Sequence, residues 1–256
     1  MTESIESGGR VATRPEPVLS CEEIHFSYGA IEALHGVSLH VGQGEAVCVV
    51  GANGAGKTTL ARVLGGLARP RTGIVKAFGT PLPKDPKQVV KAHIASVLEG
   101  RHLFAIQDVR TNLELGAYTL KKSRHELPEK IDRIFDLFPA LKSRQNQLAG
   151  SLSGGEQQMV AIGRALMSEP KVMILDEPST GLSPKLAAEV FAALAKLRNT
   201  GLSIVLVEQS ATLAFQLATY VYLLQQGNLV VEGPVEDMKG TDLVRQIYLG
   251  DTLGTR

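Results

Sequence analysis

The stretch Gly51-Ala52-Asn53-Gly54-Ala55-Gly56-Lys57-Thr58-Thr59 constrains this chain more than any other. It matches G-x-x-x-x-G-K-[ST], and it stands between a short apolar run, Glu45 to Val50, and a helical pattern, Leu60 to Leu67. That strand-turn-helix context is the one in which the motif cradles phosphate. Glycines let backbone N–H groups turn inward, the helix start adds partial positive charge, and Lys57 supplies a full charge to the β- and γ-phosphates. Thr58 is then set to ligate Mg²⁺. A glycine-rich turn that binds nothing would not need the Lys-Thr pair.

A second segment supplies what a phosphoryl-transfer site still lacks. Val172 to Leu175 reads as a buried strand that ends in Asp176 and Glu177. Asp176 is suited to hold Mg²⁺ through water, and Glu177 to orient or polarise an attacking water. Alone, such a pair is also what a solvated strand end looks like. Its position after a phosphate loop gives it meaning.

The rest of the chain fits an α/β fold. Strands are expected at Val18 to Phe26, Ala33 to Val41, Gly73 to Ala77, Ile94 to Leu98 and Leu202 to Val207. Between Asp108 and Ser168 the pattern is mostly helical, with Ile131, Ile134, Phe135 and Phe138 on one apolar face. This marks a helical subdomain, about residues 100–168, inserted in the core. Pro184 to Arg198 is a helix with Leu186, Val190, Leu194 and Leu197 on one side. Tyr220 to Leu224 and Leu229 to Glu232 read as paired strands joined through Gly227-Asn228, with a short helix near Leu243 to Tyr248. Residues 1–17, rich in Glu, Ser, Gly and Pro, read as a disordered lead-in, and 18–256 as a single domain.

Composition narrows the partners. The 256 residues are 44% hydrophobic with a formal net charge of +1, which favours neither nucleic acid nor an anionic membrane as a general partner. The basic run Lys121 to His125 lacks interleaved aromatics and reads as a solvated helix end. Apolar runs are far shorter than the roughly 18–20 residues of a membrane span. Cys21 and Cys48 sit in strand patterns, outside any metal-ligand spacing, and read as buried reduced thiols.

Leu152-Ser153-Gly154-Gly155-Glu156-Gln157-Gln158 resembles the signature motif of the ATP-binding-cassette (ABC) family. The resemblance runs from about Val18 onward in the family's order: Tyr28, the phosphate loop, the signature, the Asp176-Glu177 strand and the loop Ser179 to Pro184. It implies a P-loop NTPase cassette with an antiparallel β portion and an inserted helical subdomain. ATP and Mg²⁺ are the implied cofactors. Tyr28 would stack on adenine, although a lone aromatic at a strand end also packs on a neighbour. Ser153, Gly154 and Gly155 would meet the γ-phosphate of ATP held by a second ABC ATPase subunit. Ser153 is equally a simple N-cap.

Two places depart from the commonest ABC pattern. Glu99, in Val97-Leu98-Glu99-Gly100-Arg101, stands where most members carry glutamine, and is a candidate Mg²⁺ ligand or an exposed loop acid. Gln209, in Leu206-Val207-Glu208-Gln209, stands where most carry a switch histidine, and offers an amide N–H that does not titrate. These features and the closing Val244 to Gly250 resemble the LivF-like branch of branched-chain amino-acid uptake ATPases, which also includes urea-uptake ATPases.

The resemblance implies an ABC-type translocase at the cytoplasmic face of the membrane, peripheral to it. It would form a homo- or heterodimer of cassettes that drives transmembrane permease subunits supplied by an external solute-binding protein. A soluble ABC ATPase of DNA repair or translation would add coiled coils, zinc modules or a second cassette. A non-hydrolysing sensor would not need Lys57, Asp176 and Glu177 together.

Overall fold

A computed structural model describes residues 14–119 and 126–238. The terminal helix expected near Leu243 to Tyr248, the Val244 to Gly250 segment and the basic run Lys121 to His125 lie outside them. Two sheets organise the chain. Strands β1 (Pro17–Tyr28), β2 (Ile31–Gly42), β4 (Thr72–Ala77) and β5 (Thr80–Pro81) form an antiparallel sheet in the order β2-β1-β4-β5. Strands β3 (Ala46–Val50), β6 (Ile94–Val97), β7 (Val172–Asp176), β8 (Ser203–Glu208), β9 (Tyr220–Gln225) and β10 (Asn228–Pro234) form a second sheet in the order β10-β9-β3-β8-β7-β6. In it only β10 runs antiparallel to its neighbour.

The central strands β3, β7 and β8 are buried along their whole length and, apart from Ser203 and the closing acids Asp176 and Glu208, apolar, because both of their faces are covered. Ala46, Cys48 and Val50 of β3, with Met173, Leu175, Ile204 and Leu206, face a core built with the helical subdomain. Val47 and Val49, with Val172, Ile174, Val205 and Val207, face the other core, shared with the antiparallel sheet and helix α1 (Lys57–Leu64). The alternation is the two-residue period of a strand expressed on two buried faces. Cys21 and Cys48 are free and buried in opposite cores; burial pushes both thiols up, that of Cys21 to about 12.

After the short helix α2 (Pro86–Lys91) and β6 comes the helical subdomain. It holds α3 (Val109–Gly116), α4 (Leu127–Leu137), α5 (Pro139–Lys142) and α6 (Gly154–Leu166). The apolar face Ile131, Ile134, Phe135 and Phe138 is buried as its spacing requires. Helix α7 (Pro184–Asn199) buries Val190 and Leu194 fully and packs Leu186 and Leu197 at the margin of the same core. Helices α8 (Ala211–Leu217) and α9 (Val235–Met238) flank the β9–β10 hairpin. Among the described residues no helix is long and apolar enough to cross a membrane.

Two expectations shift. The β9–β10 turn is centred one residue earlier, on Gln226 and Gly227, whose φ angles of 46° and 79° suit the mirror-image turn that matches strand twist. The ordered body also begins before Val18. Arg14 forks onto Glu45, Nε to Oε1 at 3.1 Å and Nη2 to Oε2 at 2.9 Å, and stacks 3.7 Å above the Tyr220 ring.

Candidate nucleotide site

Parallel strands deliver the site. Strand β3 runs into the phosphate loop, and the neighbouring β7 and β8 end in Asp176 and Glu208, so their carboxyl ends open on one crevice. The loop is shaped by its glycines. Gly54 and Gly56 take φ angles of 78° and 104°, and a Cβ on Gly51 would lie 2.2 Å from the Leu224 carbonyl oxygen. The Ala55 carbonyl accepts the Gly227 N–H at 2.9 Å, tying the loop to the β9–β10 turn.

A cleft of about 590 Å³ is lined by Tyr28, Ala33, Asn53, Gly54, Gly56, Lys57, Thr58, Thr59, Glu99, Glu177, Thr180 and Gln209. Residues far apart in sequence therefore meet on one surface. Lys57 Nζ donates to the Gly51 and Ala52 carbonyls at 3.0 and 3.2 Å and sits 3.4 Å from Glu177 Oε1. Tyr28 is 49% exposed, edge-on to Phe26, with its hydroxyl 3.3 Å from Thr59 Oγ1. It thus touches a neighbour and also presents ring surface to the cleft.

Asp176 lies behind Thr58, whose hydroxyl donates to Asp176 Oδ1 at 3.3 Å. Its other oxygen, Oδ2, is buried with no hydrogen-bond partner. Burial pushes this carboxyl above the usual carboxylate range; the charges of Glu177 and Glu99 add to the rise and the Thr58 hydroxyl opposes it. An orphaned buried acceptor beside a threonine hydroxyl fits a hard cation. Among the described residues no cluster of three or more His, Cys, Asp or Glu side chains could hold a metal by itself.

Glu177 takes the left-handed φ of 48°, an uncommon conformation for a non-glycine residue. Its N–H bonds the Val207 carbonyl at 2.8 Å, and Thr180 Oγ1 donates to its Oε2 at 3.0 Å. Buried Glu208 accepts the Ser179 N–H at 3.0 Å and so braces the same loop from the sheet. Thr180 and Glu208 were missed in the sequence. Short loop residues carry no periodic signal, and Glu208 reads as one more strand-end acid.

Ser153, Gly154 and Gly155 do not reach this cleft. They open α6, where Ser153 forms a reciprocal cap: Glu156 N–H donates to Ser153 Oγ at 3.4 Å and Ser153 N–H to Glu156 Oε2 at 2.9 Å. Gly155 packs closely on Leu186: a Cβ there would lie 2.5 Å from Leu186 Cδ1, so that side chain would have to shift. Within one chain the N-cap reading of Ser153 is the one realised.

A phosphate loop on a buried parallel strand, two carboxylates at the next strand ends and an inserted helical subdomain define a nucleotide-binding P-loop cassette. The family model described as ABC transporter matches residues 34–180, and the chain belongs to that family: it is an ATP-binding subunit that couples ATP hydrolysis to transport. It is 42% identical to the Pseudomonas aeruginosa high-affinity branched-chain amino acid transport ATP-binding protein BraG, covering 91% of this chain and 100% of that one. It is 34% identical to a probable branched-chain amino acid transport ATP-binding protein LivF of Archaeoglobus fulgidus, covering 91% and 99%. A solved dimeric post-hydrolysis cassette, MJ0796 bound to ADP and Pi, superposes with a TM-score of 0.78 at 25% identity, covering 85% of this chain and 98% of that one.

Proposed function

We propose that this chain drives a branched-chain amino-acid importer as one of two cassettes that enclose two ATP molecules. The observation that carries the chemistry is the convergence of Lys57, Glu177 and Gln209 on one cleft, with Asp176 behind Thr58. The solute is carried over from the Pseudomonas relative, which this chain matches over that protein's full length.

In this reading the backbone from Gly51 to Thr59 and the Lys57 ammonium hold the β- and γ-phosphates, and Tyr28 stacks on adenine. Thr58, Asp176 and Glu99 would hold Mg²⁺, which would supply positive charge beside the phosphate oxygens. Glu177 polarises the attacking water, and Gln209 donates its amide N–H to the γ-phosphate. Ser153, Gly154 and Gly155 serve the ATP of the opposite cassette, in keeping with their distance from the cleft of their own chain.

The partners in this reading are a second cassette, like or unlike this one, and permease subunits fed by an external binding protein. A groove of about 440 Å³ beside the Glu99 loop supports a permease contact. It is lined in part by Val90, His102, Phe104, Leu115 and Tyr118, of which Phe104 is 51% and Tyr118 78% exposed. Such apolar exposure between the core and the helical subdomain suits the cytoplasmic helices of a membrane protein, and holds the chain at the cytoplasmic face.

Uptake of labelled leucine, isoleucine, valine and urea by native cells tests the assignment, with a chromosomal Glu177→Gln substitution as the comparison. Selective loss of the three amino acids is the expected result. Selective loss of urea uptake would reassign the solute, and unchanged uptake of all four would overturn the solute assignment.

A further inference from the structure

The Glu99-Gly100-Arg101 segment carries a side chain with no role in the account above. Gly100 and Arg101 both take left-handed φ angles, 87° and 60°, which turn the Arg101 guanidinium toward two separate parts of the molecule. Its Nη1 and Nε donate to the side-chain oxygens of Gln157 and Gln158 on α6, each at 3.3 Å. Its Nη2 donates at 3.3 Å to the carbonyl of Thr180, in the loop that follows Glu177. The backbone of the segment is held in turn by α6, since Arg164 donates to the Arg101 and His102 carbonyls at 3.1 and 2.8 Å. Arg101 therefore ties α6 to the core loop that follows Glu177.

What it grips touches the site. Thr180 places its hydroxyl 3.0 Å from Glu177 Oε2, while Lys57 stands 3.4 Å from Oε1. One oxygen of that carboxylate is thus positioned from the phosphate loop, and the other from a threonine whose carbonyl is bound to Arg101. A planar guanidinium carries five N–H donors in a fixed fork, so it can hold two elements at once in one orientation.

We propose that Arg101 is a positioning residue that transmits the placement of helix α6, through Thr180, to the carboxylate of Glu177. A shift of α6 then repositions the group that polarises water. The inference rests on the reading of Glu177 given above.

Phosphate release by the purified full chain in Mg²⁺-ATP tests it, with rates expressed per nucleotide-binding site so that a misfolded fraction does not count. Arg101→Ala and Thr180→Val are each expected to lower kcat about tenfold, the scale of a carboxylate held slightly out of place, with ATP affinity kept within about twofold. The double variant should fall about tenfold as well, because both changes break one relay. Thr180→Ser, which keeps the hydroxyl, should restore the rate. A kcat within about twofold of wild type for Arg101→Ala, a roughly hundredfold loss in the double variant, or a Thr180→Ser as slow as Thr180→Val would each overturn the proposal. Glu177→Gln separates the two ideas. If it hydrolyses ATP at the wild-type rate, the reading of Glu177 fails and takes the relay with it; if it is inactive while Arg101→Ala is unaffected, only the relay fails.

Discussion

Lys57 Nζ lies 3.4 Å from Glu177 Oε1, joining the phosphate loop to the strand-end carboxylate across one cleft. Both side chains are largely buried, at 4% and 14% exposure, and the ammonium also donates to the Gly51 and Ala52 carbonyls. In the proposed function the same ammonium meets the phosphates of ATP.

Removing the charge should therefore weaken binding itself. Lys57→Ala is expected to lower ATP affinity on the order of 10- to 100-fold, the worth of charge-assisted hydrogen bonds at a partly buried site. Titration with a fluorescent nucleotide measures it. An affinity within twofold of wild type would mean that Lys57 does not meet the phosphates.

Tyr28 separates stacking from hydrogen bonding. Its hydroxyl reaches Thr59, while its ring is half exposed along the cleft. Tyr28→Phe should bind ATP about as wild type does, and Tyr28→Ala about tenfold more weakly, as loss of one base-aromatic stack predicts. Equal affinities for the two variants would remove Tyr28 from adenine recognition.

Glu208 carries a pH signature. Burial pushes its carboxyl above the usual glutamate range, with the charge of Glu177 adding to the rise and the Ser179 hydrogen bonds opposing it. The folded protein then keeps this proton to higher pH than the unfolded chain does. The group's favourable contribution is complete below the ordinary glutamate pKa and is lost as pH rises through the folded value. Glu208→Gln retains an acceptor for the Ser179 N–H and removes the titration. Melting temperatures should show the variant gaining on wild type as pH climbs through that window. A difference that stays constant from about pH 4 to about pH 8 would contradict this.

Arg14 closes the body of the fold. It bridges Glu45, the His40 carbonyl and the Tyr222 hydroxyl, the last two at 2.8 and 2.6 Å. Arg14→Ala leaves buried Glu45 without its counter-charge and should cost about 3 kcal/mol of stability. Urea unfolding measures it, and a loss below about 0.5 kcal/mol would class the pair with exposed ion pairs.

Much of this architecture is legible in the sequence because its strongest signals are local. The phosphate loop fixes its own strand and helix, and the period of Ile131, Ile134, Phe135 and Phe138 gives the buried face of α4. Arg14 was not legible: its partners Glu45, Tyr220 and Tyr222 are distant in the chain, and the residues around it have the composition of a linker. The β9–β10 turn misled by one residue because Gln226 adopts a positive φ that a sequence assigns first to glycine or asparagine. Thr180 and Arg101 act through a backbone carbonyl and a hydroxyl, contacts without any residue-type pattern. Ser153 to Gly155 are readable as a motif, yet they do not line the cleft that holds Lys57 and Glu177.

Phosphate release by wild type and Glu177→Gln in Mg²⁺-ATP, measured beside nucleotide affinity on the same preparations, tests the central claim most directly. The account predicts that the substitution lowers turnover at least about 100-fold while ATP affinity stays within about twofold, because shape and cradle persist and only the water-polarising charge is gone. Turnover within about tenfold of wild type would contradict it and place the catalytic group elsewhere.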